Sequence, residues 1–434
     1  MHFTKHKKHL KFAWITGLCI TFIFAIQKNN PVDCDLKANY DEVSSIDVEC
    51  KQRLYASLEI LPSNKINCSR ILRGDGDAIN TAVLDKLLVA NRHIPFTEDQ
   101  YVNLTTDCVK YKKIRKFITF SLSREEEAFP IAYSMVIHYK IEMFERLLRA
   151  IYTPHNIYCV HVDEKSPEKF KTAAKAITSC FDNVFVASKL EKVVYASWSR
   201  VQGDLHCMED LLRSNIQWKY LLNTCRTDFP IKTNAESVKA LQLLKGINSM
   251  ESKPPPSFKK NRWLFHYKVG LHISKTEIRK EPPPDNITMF AGNAYNVTTK
   301  DFVRTVLTDP KVRRLIEWSK DTYSPDEHLW ATLHRMHGIP GSVPSHRKYD
   351  TSGRQAIARL VKWGDLGEES KGAAFARCNG IYRQGVCVYG TGNLPWMIQQ
   401  HHLLANKFDP LVDNNAIQCL EQYLRHKTLS GTDL

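Results

Sequence analysis

The sequence predicts an α/β fold built on a mainly parallel sheet. Three observations carry that expectation. Short apolar runs alternate with apolar stripes at helical spacing between about residues 125 and 222. Strand-like and helix-like segments follow one another singly rather than in blocks, the pattern of crossover-connected parallel strands. The composition is that of a globular protein, 43% hydrophobic and 25% charged over 434 residues, which excludes disorder over most of the length.

Taken in order, Ile131–Ile137 reads as a strand, and Ile141, Phe144, Leu147, Leu148 and Ile151 form the apolar stripe of a helix. Ile157–Val162 is a second strand ending at Asp163, and Phe170, Ala173, Ala174 and Ile177 mark the next helix. Val184–Ala187 is a third strand, Leu205, Met208, Leu211 and Leu212 a further helix face, and Tyr220–Leu222 a fourth strand. Ligands of such sheets sit beyond the carboxyl ends of the strands. Those ends carry Val136, Ile137 and His138, then Asp163, Tyr195 and Asp228. There is no Walker loop and no GxGxxG, and Gly390-Thr-Gly392 is too short to cradle phosphate. Beyond residue 230, Pro254–Pro256 and Pro282–Pro284 bracket a basic segment predicted as a loop, with Lys259, Lys260, Arg262 and Trp263. Met289–Tyr295 reads as a strand, and Ser324-Pro-Asp-Glu327 opens a helix whose inner face is Leu329, Leu333 and Met336.

The N-terminus sets the expected compartment. Lys5, Lys7, Lys8 and Lys11 precede an uncharged apolar run, 12–27, with no small-x-small cleavage site after it. The run is shorter than the ~20 residues usual for a span. Positive charge ahead of it favours a type II signal anchor with everything downstream in the lumen. The expected organisation is a cytoplasmic tail over 1–11, the anchor over 12–27, a stem and lead-in over 28–115, and the main domain over 116–434. Twelve cysteines without CxxC spacing read as disulfides of an oxidising lumen. Cys19 lies in the apolar run; eleven remain, so at least one is free or pairs between chains. Sequons at Asn67, Asn103, Asn286 and Asn296 agree with that compartment. The net charge of +15, from 61 basic against 46 acidic residues, is not gathered beyond the N-terminal lysines. With no zinc-finger spacing or aromatic RNA-binding motif, a nucleic-acid partner is not expected.

Glu327 is the most informative single residue. Ser324 as N-cap, Pro325 at the first helical position and Glu327 three after the cap spell a capping box. A carboxylate held rigidly at the end of an element also suits a general base. The Asp-x-Asp at Asp75-Gly-Asp77 is read as a loop in the lead-in, outside the alternating region, so no divalent metal is expected. Stabilising an anionic leaving group would then fall to cations such as Arg359, Lys362, Arg383 and Lys407.

Four segments together resemble a known family: Val194-Tyr-Ala-Ser-Trp-Ser-Arg-Val-Gln202, Asp228-Phe-Pro-Ile-Lys-Thr-Asn234, Asp321-Thr-Tyr-Ser-Pro-Asp-Glu-His-Leu-Trp-Ala-Thr332 and His401-His-Leu-Leu-Ala-Asn-Lys-Phe-Asp409. They resemble the mucin-type core 2/core 4 β1,6-N-acetylglucosaminyltransferases of the O-glycan branching family, glycosyltransferase family 14, and the likeness runs from about Cys50 to the C-terminus. The resemblance implies a metal-independent GT-A-like glycosyltransferase fold behind an anchor and stem, in the Golgi membrane with the catalytic domain lumenal. It implies inverting transfer of N-acetylglucosamine from UDP-GlcNAc to the 6-hydroxyl of O-linked GalNAc on mucin-type glycoproteins. Core 1 and core 3 acceptors would give core 2 and core 4 branches, with I-branching as a further activity.

By matched motifs, Glu327 would be the base. Val136, Ile137, His138, Asp163 and Tyr195 would contact the donor, Lys407 and an arginine its diphosphate, and Glu251, Lys259, Arg262 and Trp363 the acceptor side. The implied disulfides are Cys68–Cys419, Cys108–Cys180, Cys159–Cys207 and Cys378–Cys387, with Cys225 free. Cys34 and Cys50 are left for each other or for a second chain in a homodimer. The chain departs from the pattern at several places. The second diphosphate arginine falls on Gln384, with Arg383 one place earlier. Arg226 replaces a glycine and Asn393 an acidic residue, and the acceptor loop at Gly364-Asp365-Leu366 is one residue short. These departures motivate an alternative, a glycan-binding member of the same fold with weakened turnover. Transfer of xylose fits the same fold but matches the acceptor segment less well. A glycosidase would need two facing carboxylates, which adjacent Asp326 and Glu327 do not offer.

Overall fold

The computed structural model describes residues 41, 44–60, 66–88, 93–344, 356–364 and 376–434. The apolar run 12–27, Cys34 and the loop residues Asp365 and Leu366 lie outside them. Among the described residues no helix is long and apolar enough to cross a membrane.

The four predicted strands form the parallel part of a six-stranded sheet. They are β1 (Ile131–Ile137), β2 (Ile157–Val162), β3 (Val184–Val186) and β4 (Tyr220–Cys225). β2 and β4 flank β1 in parallel register, with Val136 opposite His161 on one side and Cys225 on the other. Further along are β5 (Asp228–Pro230), β6 (Ser249–Met250), β7 (Phe265–Val269), β8 (Ile273–Arg279) and β9 (Asn296–Thr299). The remaining strands are β10 (Arg359–Val361), β11 (Ile381–Arg383), β12 (Val386–Val388) and β13 (Leu404–Asn406). The large sheet runs β3-β2-β1-β4-β9-β6, and a smaller one runs β10-β13-β5. β9 joins β4 antiparallel. The order reverses at β1, whose neighbours come from later in the chain on both sides. That makes the β1–β4 crevice the switch point where a ligand of such a sheet is held.

Each predicted helical stripe folds as a helix against this sheet. Ile141–Ile151 and Glu168–Thr178 pack Phe144, Leu147, Leu148, Phe170 and Ile177 into one core. Trp198–Arg213 covers the opposite face with Val201, Leu205, Met208 and Leu211. β1 and β2 are buried along their whole length, as strands covered on both faces must be.

Packing runs across residue 116 without a break. The lead-in contains helices, and Tyr101 and Tyr111 on two of them sit in the first core. Asp75 is the N-cap of a helix over Gly76–Asp85, its side chain accepting from the Ala78 N–H, so Asp75-Gly-Asp77 is a helix start and not a loop. Disulfides join Cys68 to Cys419, Cys108 to Cys180, Cys159 to Cys207 and Cys378 to Cys387. Cys50 is also disulfide-bonded, and Cys225 is a free thiol.

Two readings of the second region are corrected. The proline-bracketed segment is no loop: it holds a short helix, Ser257–Lys260, and the hairpin β7–β8. Lys280 and His266 pin that hairpin to the Asp321 carboxylate. Met289–Tyr295 is not a strand. Apart from one bridge between Ala291 and Lys253, it passes between neighbours without a ladder, and regular pairing begins only at Asn296.

Candidate active site

The carboxyl ends of β1 and β2 make one wall of the cleft. Val136 and Ile137 close β1, and the Asp163 N–H donates to the Ile137 carbonyl at 2.9 Å. Asp163 is buried, and its Oδ1 accepts from the backbone N–H of Lys165 at 2.9 Å and of Val193 at 3.2 Å. The Ser166 hydroxyl donates to the His138 carbonyl at 2.9 Å, which ties the two strand ends together. Burial, then the nearby Arg226 guanidinium, pushes His138 down to about 4, so its ring is neutral at ordinary pH. Tyr195 is 77% exposed beside this wall. The next residue, Ala196, takes a positive φ of 58° and accepts a 2.7 Å hydrogen bond from Ser324 N–H.

That bond brings the Glu327 segment to the cleft. The predicted capping box does not form. Ser324 is itself left-handed (φ 46°) with no side-chain cap, and Pro325–Glu327 is a single 3-10 turn before a short helix, Leu329–Leu333. Leu329, Leu333 and Met336 are buried as expected, but the helix stops at Leu333, so Met336 reaches the core from the turn that follows it. Released from capping, the Glu327 carboxylate faces cations. Its Oε2 accepts from Lys259 Nζ at 3.2 Å and from Arg262 in a short ion pair. Its Oε1 has no hydrogen-bond partner among the described residues. The Glu327 carbonyl accepts from the Gly292 N–H at 2.7 Å. Gly292 is required there, since a Cβ would stand 2.1 Å from the Glu251 carbonyl oxygen. Neighbouring His328 is buried, and burial, then Arg262 and Lys259, lowers it to about 3.

The acceptor-side expectations divide. Lys259 and Arg262 meet at Glu327 itself. Glu251 lies across Gly292 from Glu327, its carboxylate accepting from Asn293 Nδ2 at 2.9 Å and pairing with Lys253 at 3.0 Å. Trp363 stands half-exposed against the cystine hairpin β11–β12, through a bridge to Val386. Among the described residues no contact ties it to Glu327.

On the far wall, Lys407 and Arg383 lie side by side. Lys407 Nζ lies 3.4 Å from the Arg383 carbonyl. The Arg383 guanidinium, however, is engaged by Asp409 at 2.6 Å, and Asp409 also pairs with Lys140 at 2.6 Å. Lys140 and Asp409 are site residues that the strand pattern did not single out. Only the alternation of sheet ends could have pointed to Lys140, which stands just after β1. Among the described residues no cluster of three or more metal-ligating side chains occurs.

Comparison with known proteins agrees with this architecture. The Core-2/I-Branching enzyme family matches residues 131–398. A Bos taurus protein named beta-1,3-galactosyl-O-glycosyl-glycoprotein beta-1,6-N-acetylglucosaminyltransferase 3 is 60% identical over 100% of both chains. The Homo sapiens protein of that name is 61% identical over 89% of this chain and 88% of its own. The Mus musculus one is 57% identical over 97% of each. With more than half its length matched and near-full-length relatives at such identity, the chain belongs to the Core-2/I-branching enzyme family.

Proposed function

We propose that the chain transfers N-acetylglucosamine from UDP-GlcNAc to the 6-hydroxyl of O-linked GalNAc on glycoproteins, with inversion. Core 1 acceptors become core 2 and core 3 acceptors become core 4, with I-branching as a further acceptor class. The observation that carries this reading is the clamped carboxylate of Glu327. Two cations fix Oε2 and leave the lone pairs of Oε1 open. The acceptor hydroxyl gives its proton to Oε1 as its oxygen bonds to the anomeric carbon. The bond from that carbon to the diphosphate breaks, and UDP leaves with the electron pair. A positioned general base contributes typically about 10²–10⁴-fold to the rate.

In this reading the uridine lies against Val136, Ile137, His138 and Asp163, with Tyr195 over the donor sugar. Lys407 faces the diphosphate, and Glu251, Lys259, Arg262 and Trp363 line the acceptor side. No divalent metal enters the scheme. The wall that would face the diphosphate carries Lys140, Arg383 and Lys407 against one carboxylate, Asp409, a field that repels a second cation and attracts phosphate. The disulfides support an oxidising lumen, and a type II Golgi membrane protein is the reading consistent with the basic, apolar N-terminus.

The test uses the full-length chain with UDP-GlcNAc and either Galβ1-3GalNAc-aryl or GlcNAcβ1-3GalNAc-aryl acceptor, in EDTA. Transfer is expected to persist under chelation, and Glu327→Gln to lower it about 10²–10⁴-fold. No transfer to either acceptor would sink the proposal. Transfer lost only on chelation would remove its metal-free part.

A further inference from the structure

Arg226 follows the last residue of β4, on the crevice where the sheet order reverses. It is only 9% exposed. Its guanidinium carbon stacks 3.3 Å from the Tyr139 ring centroid, and its Nε donates to His138 Nε2 at 3.4 Å. These two contacts fix the plane of the fork. Among the described residues no carboxylate pairs with Arg226 and no acceptor takes its two terminal nitrogens. The two terminal N–H edges are open to the crevice, where an arriving anion would meet charge-assisted donors.

The neighbouring wall shows what kind of anion. The Phe408 N–H donates to the Thr227 carbonyl at 2.8 Å, and Asn406 Nδ2 to the Thr227 hydroxyl at 2.9 Å. These bonds place Lys407 beside the Arg226–Thr227 step. Four cations thus gather here with one carboxylate, Asp409, and Asp409 is shared by Arg383 and Lys140. Among the described residues, Arg226 and Lys407 are the two of these that form no ion pair with a carboxylate. Burial holds Arg226 below the ordinary arginine range, opposed by Tyr139, Cys225 and Asp409 and reinforced by Arg383. Burial, followed by Arg383 and Arg226, does the same to Lys407. Gln384, where the resemblance puts an arginine, is at the tip of the β11–β12 hairpin in a left-handed conformation (φ 53°), followed by Gly385 (φ 73°). It brings no charge.

We propose that Arg226, with Lys407, binds the diphosphate of the nucleotide donor and takes the charge that develops on it as UDP leaves. The role reaches the cleft from the end of β4 instead of from the cystine hairpin. Arg383 holds Asp409 and Lys140 in place and is not a phosphate ligand. This rests on reading the cleft as a nucleoside-diphosphate-sugar site. A planar fork with two free N–H edges suits bidentate contact with phosphate oxygens.

The experiment titrates UDP and uridine separately into the full-length chain and its Arg226→Met, Lys407→Met and Arg383→Gln variants. Arg226→Met and Lys407→Met are each expected to weaken UDP about tenfold or more, the scale of one charge-assisted contact, and to leave uridine affinity unchanged. Arg383→Gln should change UDP affinity less than about threefold. Unchanged UDP binding in Arg226→Met would overturn the proposal. So would equal loss of UDP and uridine, which would mark Arg226 as structural packing for Tyr139. Wild-type protein that binds uridine no worse than UDP would remove the diphosphate reading itself, and the proposal with it. Tight UDP binding that depends on Lys407 and Arg383 but not on Arg226 would keep that reading and reject only the role given to Arg226.

Discussion

Ser324 turns the chain with a left-handed backbone, and the two carboxylates that follow it meet different cations. Glu327 faces Lys259 and Arg262. Asp326 faces Arg200, whose guanidinium is already bound to Asp204 at 2.7 Å, and Asp204 also accepts from the Ser134 hydroxyl at 2.7 Å. Burial is the main influence on Asp326. Arg200 opposes it, Glu327 and Asp204 reinforce it, and the carboxyl is pushed up to about 6. Such an acid holds its proton more tightly folded than unfolded between about pH 4 and 6. Its contribution is therefore most favourable below that window and is lost as pH rises through 6, on the order of 2–3 kcal/mol. Asp326→Asn should leave the Tm nearly unchanged at pH 4.5 and raise it relative to wild type at pH 7.5. An equal Tm difference at both pH values would show that the carboxyl does not titrate in this window. Of the site residues, Glu327 stands out in the sequence because a Ser-Pro-x-Glu string is conspicuous. The string also suggests a cap that the backbone never makes, because a left-handed Ser324 cannot turn its hydroxyl onto the following N–H groups as an extended N-cap does.

The C-terminal helix, Pro410–Ser430, shows how one element secures the main domain. Glu421 takes Arg146 through two bonds, at 2.9 and 2.7 Å, and Arg149 through one at 2.7 Å. Burial alone would raise its carboxyl; Arg146 and Arg149 bring it down to about 2. Stability from this group is complete above about pH 4.5 and is lost only as pH falls toward 2. Glu421→Gln strips the counter-charge from two buried guanidiniums and should cost about 3–5 kcal/mol, read as a drop in Tm at neutral pH. A Tm within a degree of wild type would mean that water reaches the arginines. At this scale the sequence misleads where an element owes its form to a partner. The β7–β8 hairpin depends on Asp321, far along the chain, and prolines at both ends of the segment suggested a loop. The apolar run Met289–Tyr295 resembles a strand, yet its position between Glu251 and Glu327 offers it a single bridge.

Across the whole molecule, the parallel half of the sheet is legible because β1, β2 and β4 are almost wholly buried and so read as short, largely apolar runs. The short strands β5, β6, β10 and β13 carry too few residues to show any period. The cationic wall of the cleft is the least legible part of the site. Arg226, Lys140 and Lys407 come from three separate strand ends, and nothing in their spacing announces that they meet. The Cys68–Cys419 bridge has a practical consequence. It closes a covalent ring over 351 positions of sequence, so one backbone cut anywhere inside that ring opens the circle without releasing a piece. A singly nicked molecule should migrate as one band without reductant and separate into two with it. Two bands without reductant would show that the ring was open before the cut. Intact mass on a non-reducing gel is therefore no guarantee of an intact backbone, and preparations of this protein are best judged in the presence of a thiol.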